Sequence, residues 1–261
     1  MSEAGPRVGR AASQAAETRA ATAWRRNLLF GALGVLGELM VTAGVLVLLF
    51  LVWQLWWVAR ADASAQTAVA QGLAQQFASG QGGAPAAGPS NPTDPTVPPG
   101  SIDGSAFALL RVPRMGGPQM VLPIYEGVGS DVLAKGVGHY PKTQLPGEIG
   151  NVAIAAHRVT HGNPFIDIDR MRAGDVIVIE TRDRYAVYRT VRSIIVAPTA
   201  IEVIAPVPQQ PGQVPTEPWL TMTSCEPKFS GASRYIVFAK LEATFTRAQG
   251  LPAELLQAPA A

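Results

Sequence analysis

A long apolar run near the N-terminus is the strongest feature of the hydropathy pattern. Residues 28–58 are almost entirely apolar, and Glu38 is their one charged residue. Residues 39–58 alone number 20, enough for a helix to cross a hydrocarbon core about 30 Å thick. Three tryptophans close the run: Trp53, Trp56 and Trp57. They resemble an interfacial aromatic belt, and the pattern therefore predicts a transmembrane anchor over residues 28–58.

Two other structures share an apolar pattern of this kind. A secretory signal peptide has an apolar region of about 7–15 residues that ends at a cleavage site with small residues. The run over residues 28–58 is longer and ends in tryptophans. A helix buried in a protein core is the second alternative. Length and flanks together favour the transmembrane helix.

The charges on either side of the run predict its orientation. Residues 1–26 contain five arginines and two glutamates, a formal net charge of +3. Residues 59–100 contain one arginine and two aspartates, a net charge of −1. The positive-inside rule places the more basic flank in the cytoplasm. We therefore expect a single-pass protein of the cell membrane, with a cytoplasmic N-terminus and an extracellular C-terminal part.

The chain after the anchor changes composition twice before a domain begins. Residues 62–80 are rich in Ala and Gln, and Val69, Leu73 and Phe77 form one narrow helical stripe. We expect a helical spacer here. Residues 81–100 contain six prolines with Gly and Ser between them, which predicts an extended tether. The predicted divisions are a cytoplasmic tail (1–27), an anchor (28–58), a stalk and linker (59–100) and an extracytoplasmic domain (101–261).

The C-terminal domain carries the pattern of a mainly β fold. Strand-like runs recur between Gly and Pro turn signals, and several alternate apolar and polar residues. The predicted strands are 106–112, 119–125, 151–157, 175–181, 185–196, 219–225 and 235–245, and short helices fit at 131–134 and 165–171. Many short strands with few helices favour a closed barrel or a sandwich over βαβ units.

Charge and cysteine content exclude several classes of function. Lys and Arg number 21 against 19 Asp and Glu, so no electrostatic surplus indicates a nucleic-acid partner. The single cysteine excludes an internal disulfide and makes a Cys-rich zinc site unlikely. Phosphate-loop and dinucleotide-binding motifs are absent from the sequence. Residues 197–218 contain Glu202 and Glu217 as their only acids. We expect no metal and no cofactor.

Cys225 is the first candidate for chemistry, because it stands at the end of a predicted strand. A strand holds the backbone while the side chain at its end faces a cleft, which suits a nucleophile. A buried cysteine that acts as a small hydrophobic residue is the alternative. A thiol nucleophile needs a basic or cationic partner, since the thiolate is the attacking species.

Two residues could supply that partner. His157 also ends an apolar strand, and two strand ends can meet at one rim of a barrel. Arg234 follows Cys225 by nine residues and opens the last strand, where its guanidinium could donate to an oxyanion. A surface salt bridge is the alternative for Arg234. His139 and His161 have the sequence context of loop histidines with a structural or solvated role.

Three stretches together resemble the sortase family. Thr221-Met222-Thr223-Ser224-Cys225 is similar to the family's Thr-Leu-x-Thr-Cys motif, with Met for Leu and Ser for the second Thr. The stretch that ends at His157 and the final strand that opens at Arg234 are also similar to the family. The resemblance covers roughly residues 106–245, and its His139-Tyr140-Pro141 stretch looks most like the class E group of actinobacteria.

This resemblance implies a fold and a reaction. The fold is an eight-stranded sortase-type β-barrel with short helices behind one transmembrane helix. The reaction is cleavage of a C-terminal sorting signal of the LAxTG or LPxTG type between Thr and Gly. Cys225 attacks and holds the acyl group, His157 transfers protons, and Arg234 stabilises the oxyanion or positions the substrate. The resemblance also implies substrate-binding roles for Tyr140, Thr223 and Ser224.

The implied partners are surface proteins that carry the sorting signal, an amine of a cell-wall precursor, and the membrane through residues 28–58. Two alternatives stay open at this point. One is a thiol peptidase that hydrolyses the same acyl-enzyme. The other is a tethered β-domain that binds wall polymer without catalysis, and it predicts a buried, unreactive Cys225.

Overall fold

The first element of the fold is a long N-terminal helix. The computed structural model describes residues 7–80 and 104–257, so the tether predicted at 81–100 lies outside the described residues. Helix α1 spans Arg7–Ser79. Its segment Leu33–Gln54 has the length and apolar composition of a membrane span, and none of that segment is buried. The lack of burial argues against the core-helix alternative. Residues 1–56 and 57–261 form two compact units.

In the described residues of the second unit, eight strands and two short α-helices follow the end of α1. The strands are β1 (Ala108–Arg111), β2 (Leu122–Glu126), β3 (Val137–His139), β4 (Gly150–Ala155), β5 (Val176–Glu180), β6 (Arg184–Val196), β7 (Pro218–Glu226) and β8 (Ser233–Thr246). The helices are α2 (Pro113–Gly116) and α3 (Ser130–Leu133). Single 3-10 turns occur at Ile168–Arg170, Ile201–Ile204 and Ala253–Leu256.

The strands close into a barrel in the order β1-β2-β3-β4-β7-β8-β6-β5. The pairs β2–β3 and β4–β7 are parallel, and the other six pairs are antiparallel. The prediction of an eight-stranded barrel is confirmed. The hydropathy pattern located seven of these strands and missed β3, because three residues are too few to show an alternation. Strand β4 ends at Ala155, two residues earlier than the sequence pattern indicated.

Apolar side chains are packed on both sides of β7 and β8. Met222 and Val237 belong to the main core cluster inside the barrel. Ile236 and Phe238 face the other way and pack with Val203 from the 3-10 turn that precedes β7. Because successive residues of a strand point to opposite faces, both faces of these strands are packed against other parts of the unit.

The part of α1 after residue 57 packs against the barrel. Ala70 and Phe77 are buried together with Leu109 of β1, and the Arg247 guanidinium carbon lies 4.9 Å from the centre of the Phe77 ring. The predicted helical stalk is present, but it is not a free spacer. Its buried face includes Ala70, whereas Val69 of the predicted stripe is exposed. The domain boundary at residue 101 stays a prediction.

A pair of phenylalanine variants tests this packing. Phe77 is 6% exposed, and we expect Phe77→Ala to lower the free energy of unfolding by about 3 kcal/mol, in the range typical of buried phenylalanines. Phe229 is 87% exposed, so Phe229→Ala should change it by at most about 0.5 kcal/mol. Urea unfolding followed by tryptophan fluorescence measures both. Equal midpoints for the two variants would contradict the packed stalk.

Candidate active site

Three neighbouring strands bring the three main site candidates to one edge of the barrel. In the parallel pair β4–β7, Ala155 lies opposite Thr223. His157 and Cys225 each follow two residues later, so they stand at the same level, with His157 just beyond β4 and Cys225 still within β7. In the antiparallel pair β7–β8, Cys225 lies directly opposite Arg234. The parallel register therefore places the histidine beside the cysteine, and the antiparallel register places the arginine on its other side.

Cys225 carries a free thiol that is partly exposed. The two residues before it, Thr223 and Ser224, are buried. The strand thus leaves the core at the cysteine, and the side chain becomes accessible where the buried stretch stops. The alternative of a fully buried cysteine is wrong for this structure.

His157 is a half-buried imidazole next to a second histidine. Its ring centre lies 4.9 Å from that of His161, with 37° between the ring planes. Burial lowers the pKa of His157 below its ordinary value, and the charge of protonated His161 lowers that pKa further. His157 is therefore largely neutral at pH 7, and a neutral imidazole can accept a proton from a thiol.

Arg234 is held by backbone carbonyls. Its Nη1 donates to the carbonyl oxygens of Gly231 and Ser233, each at 2.9 Å. No ion pair between Arg234 and an acid occurs in residues 7–80 and 104–257. The surface salt bridge considered from the sequence is not formed. The guanidinium is instead fixed by its own loop while half exposed beside Cys225.

The three predicted substrate-binding residues have partners within the fold. The Tyr140 hydroxyl and Thr223 Oγ1 form a hydrogen bond of 3.1 Å. Ser224 Oγ donates to the carbonyl oxygen of Ala156 at 2.8 Å, which joins β7 to the end of β4. These hydroxyls stabilise the strand ends that carry His157 and Cys225. Their contact with substrate stays a prediction.

The other two histidines differ from each other. His139 was expected in a loop, but it ends β3 and is 1% exposed. Its Nδ1 lies 2.6 Å from Glu126 Oε2, so it has the structural role that was considered. His161 is exposed in a turn with φ +51°. No group of three His, Cys, Asp or Glu side chains that could hold a metal ion occurs in the described part of the chain.

Sequence reasoning missed one residue at this edge, Arg158. Its side chain is buried, and Nη1 donates to the carbonyl oxygen of Cys225 at 3.3 Å. It also forms ion pairs with Asp169 and Glu226. Its position directly after His157 was the available signal, but a buried arginine cannot be told from an exposed one by composition.

Comparison with known proteins identifies the family. The sortase domain model matches residues 110–242, which include all three main site candidates. The chain is also 33% identical over 229 residues to Sortase SrtE2 of Streptomyces coelicolor, covering 82% of this chain and 83% of that protein. The chain belongs to the sortase family. Sortases are cysteine transpeptidases, and a free cysteine at a strand end agrees with that chemistry.

Further relatives support the class E assignment of this sortase. Sortase SrtE1 of Streptomyces coelicolor is 38% identical over 231 residues, which cover 85% of this chain and 60% of that protein's length. The crystal structure of Sortase E1 from Streptomyces coelicolor, with a tripeptide in its active site, superposes with a TM-score of 0.52. Its sequence identity is 37%, and the match covers 60% of this chain and 98% of the other.

The histidine pair predicts a measurable change in titration. In His161→Gln the neighbouring charge is lost, so the pKa of His157 should rise. It should stay below the ordinary histidine value, because burial is the larger cause. The chain has three histidines, so NMR titration of histidine-labelled protein in detergent resolves each ring. An unchanged or lower pKa of His157 would contradict the coupling.

Proposed function

We propose that this sortase cleaves a C-terminal sorting signal of the LAxTG or LPxTG type between Thr and Gly and transfers the protein to an amine of the cell wall. The observation that carries the proposal is the placement of Cys225 between His157 and Arg234 at one barrel edge. Membership of the sortase family indicates the class of reaction. Hydrogen bonds of the neighbouring hydroxyls keep the strand ends in place.

The proposed reaction runs through a thioester. His157 accepts the thiol proton, and Cys225 Sγ attacks the carbonyl carbon of the substrate threonine. Arg234 donates to the oxyanion that develops on that carbonyl. The C–N bond to glycine breaks as His157 returns the proton to the leaving amine. An incoming amine then attacks the thioester, loses a proton to His157 and releases the Cys225 thiol. The lowered pKa of His157 supports its part as the first proton acceptor.

The proposed location is the cell membrane, with the catalytic unit outside. The apolar segment Leu33–Gln54 supports an anchor. The net charge of +3 on residues 1–26 supports a cytoplasmic N-terminus. Surface proteins with a sorting signal and an amine of a cell-wall precursor are the proposed partners, and the near-neutral charge gives no support for nucleic acid.

Hydrolysis and binding without catalysis are the competing functions. A thiol peptidase would use the same acyl-enzyme and release it to water. A wall-binding domain without catalysis predicts a buried cysteine, and the partial exposure of Cys225 disfavours it.

A peptide ligation assay tests the proposed reaction. The full chain in detergent is incubated with LAxTG and LPxTG peptides, with and without triglycine as the amine. We expect a ligated product by mass spectrometry and an acyl adduct on the peptide that contains Cys225. Cys225→Ala removes the only thiol and should give neither. Hydrolysis alone in excess triglycine and in every other amine tried would support the peptidase instead.

Substitution of Arg234 tests its role in the same assay. Lysine keeps the charge but not the planar fork of donors, so Arg234→Lys should lose about 10²–10³ in turnover, as expected for one oxyanion donor. Its melting temperature should stay near wild type, and Arg234→Ala should be at least as impaired. Arg189→Lys is the matched control, since Arg189 is an exposed arginine paired with Glu242. Near-wild-type turnover in Arg234→Lys would return Arg234 to a structural role.

A further inference from the structure

The guanidinium of Arg158 is the most buried charge at the candidate site. The residue is 3% exposed and directly follows His157. Burial of an unpaired charge is unfavourable, and two carboxylates compensate the positive charge of Arg158. Its Nη2 lies 2.8 Å from Asp169 Oδ2, and its Nη1 pairs with Glu226. Both acids are partly exposed, so they reach the buried cation from the surface side.

The same guanidinium connects the strands that carry the candidate residues. Arg158 stands just beyond β4, and its Nη1 donates to the carbonyl oxygen of Cys225 on β7 at 3.3 Å. Its guanidinium carbon lies 5.8 Å from the ring centre of Tyr235, which neighbours Arg234 on β8. One side chain therefore contacts the main chain of the cysteine and a residue beside the arginine.

Regular strand pairing stops just short of these residues. The last backbone hydrogen bond between the two parallel strands in the described structure runs from the Ala156 N–H to the Thr223 carbonyl, at 3.3 Å. Ser224 Oγ adds one contact to the Ala156 carbonyl. Beyond this point the described structure links the β4 end to Cys225 through Arg158. The guanidinium is therefore one of the groups that fix Cys225 relative to the chain after β4.

We propose that Arg158 is a positioning residue of the transpeptidase, which holds the Cys225 carbonyl in place relative to the chain that carries His157 and neutralises Glu226, the residue after Cys225. This inference rests on the proposed function. The two effects are separable. Loss of the guanidinium removes the hydrogen bond to the Cys225 carbonyl oxygen, while pairing with β8 still holds the strand. It also leaves the Glu226 carboxylate without this partner, which disfavours a thiolate on the adjacent residue.

Three variants of the full chain separate position from charge. In Arg158→Met we expect kcat to fall about 10²-fold, the loss typical of a misplacement of about 1 Å, with KM within about twofold. Alkylation of Cys225 by iodoacetamide at pH 7 should also slow. Adding Glu226→Gln to that variant should restore the alkylation rate but not kcat. Arg158→Lys should recover part of kcat, because the compact ammonium lacks the planar fork of donors that spans the carbonyl and both carboxylates.

The matched control is Arg114→Met, which removes a buried ion pair with Asp175 away from the site. It should lower the melting temperature and leave kcat unchanged. In Arg158→Met, kcat should fall further than the change in melting temperature can explain. Should Arg158→Met fail to fold, Arg158→Lys measured below its melting temperature carries the same comparison. Wild-type kcat in the folded Arg158 variants would overturn the inference. An inactive wild-type chain would instead overturn the proposed function.

Discussion

The parallel pairing of β4 with β7 is the constraint on which the candidate site depends. Ala155 opposite Thr223 sets His157 level with Cys225 across 68 residues of chain. Side chains alternate between the two faces of a strand, so a slip of one residue would turn one partner toward the wrong side. Strand β8 then adds Arg234 through an independent, antiparallel register. The parallel register aligns Cys225 with His157, and the antiparallel register aligns Cys225 with Arg234.

The packing around these strands makes the two registers rigid. Apolar side chains cover both faces of β7 and β8, and hydrogen bonds between buried side chains join β7 to β4. Thr221 Oγ1 donates to Asn151 Oδ1 at 2.9 Å, which joins β7 to β4 in the core. Asn151 Nδ2 in turn donates to the carbonyl oxygen of Ala205 at 2.9 Å. Hydrogen bonds between buried side chains in a close-packed core specify one alignment of the strands. The barrel edge with the site candidates is therefore held in one arrangement.

The helix after residue 57 reaches the loop that follows His157. Gln66 is buried and its Nε2 donates to the carbonyl oxygen of His161 at 2.8 Å. Gly162 adopts φ +78°, and a Cβ there would lie 3.0 Å from the backbone nitrogen of Ala63. A Cβ at this turn would push the helix backbone away and strain the positive φ, so the close approach favours glycine. The stalk contributes to the loop that follows His157 as well as to the barrel wall.

The sequence by itself determined the features that depend on local pattern. A 20-residue apolar run, seven alternating strands and polar residues at strand ends are each readable within a short window. The tertiary structure decided what depends on contacts between distant segments: the three-residue strand β3, the packing of Phe77 on the barrel, and the burial of Arg158. Arg158 shows the reason: Glu226 becomes its neighbour only when β4 and β7 align, and Asp169 only when the 3-10 turn Ile168–Arg170 folds back onto it.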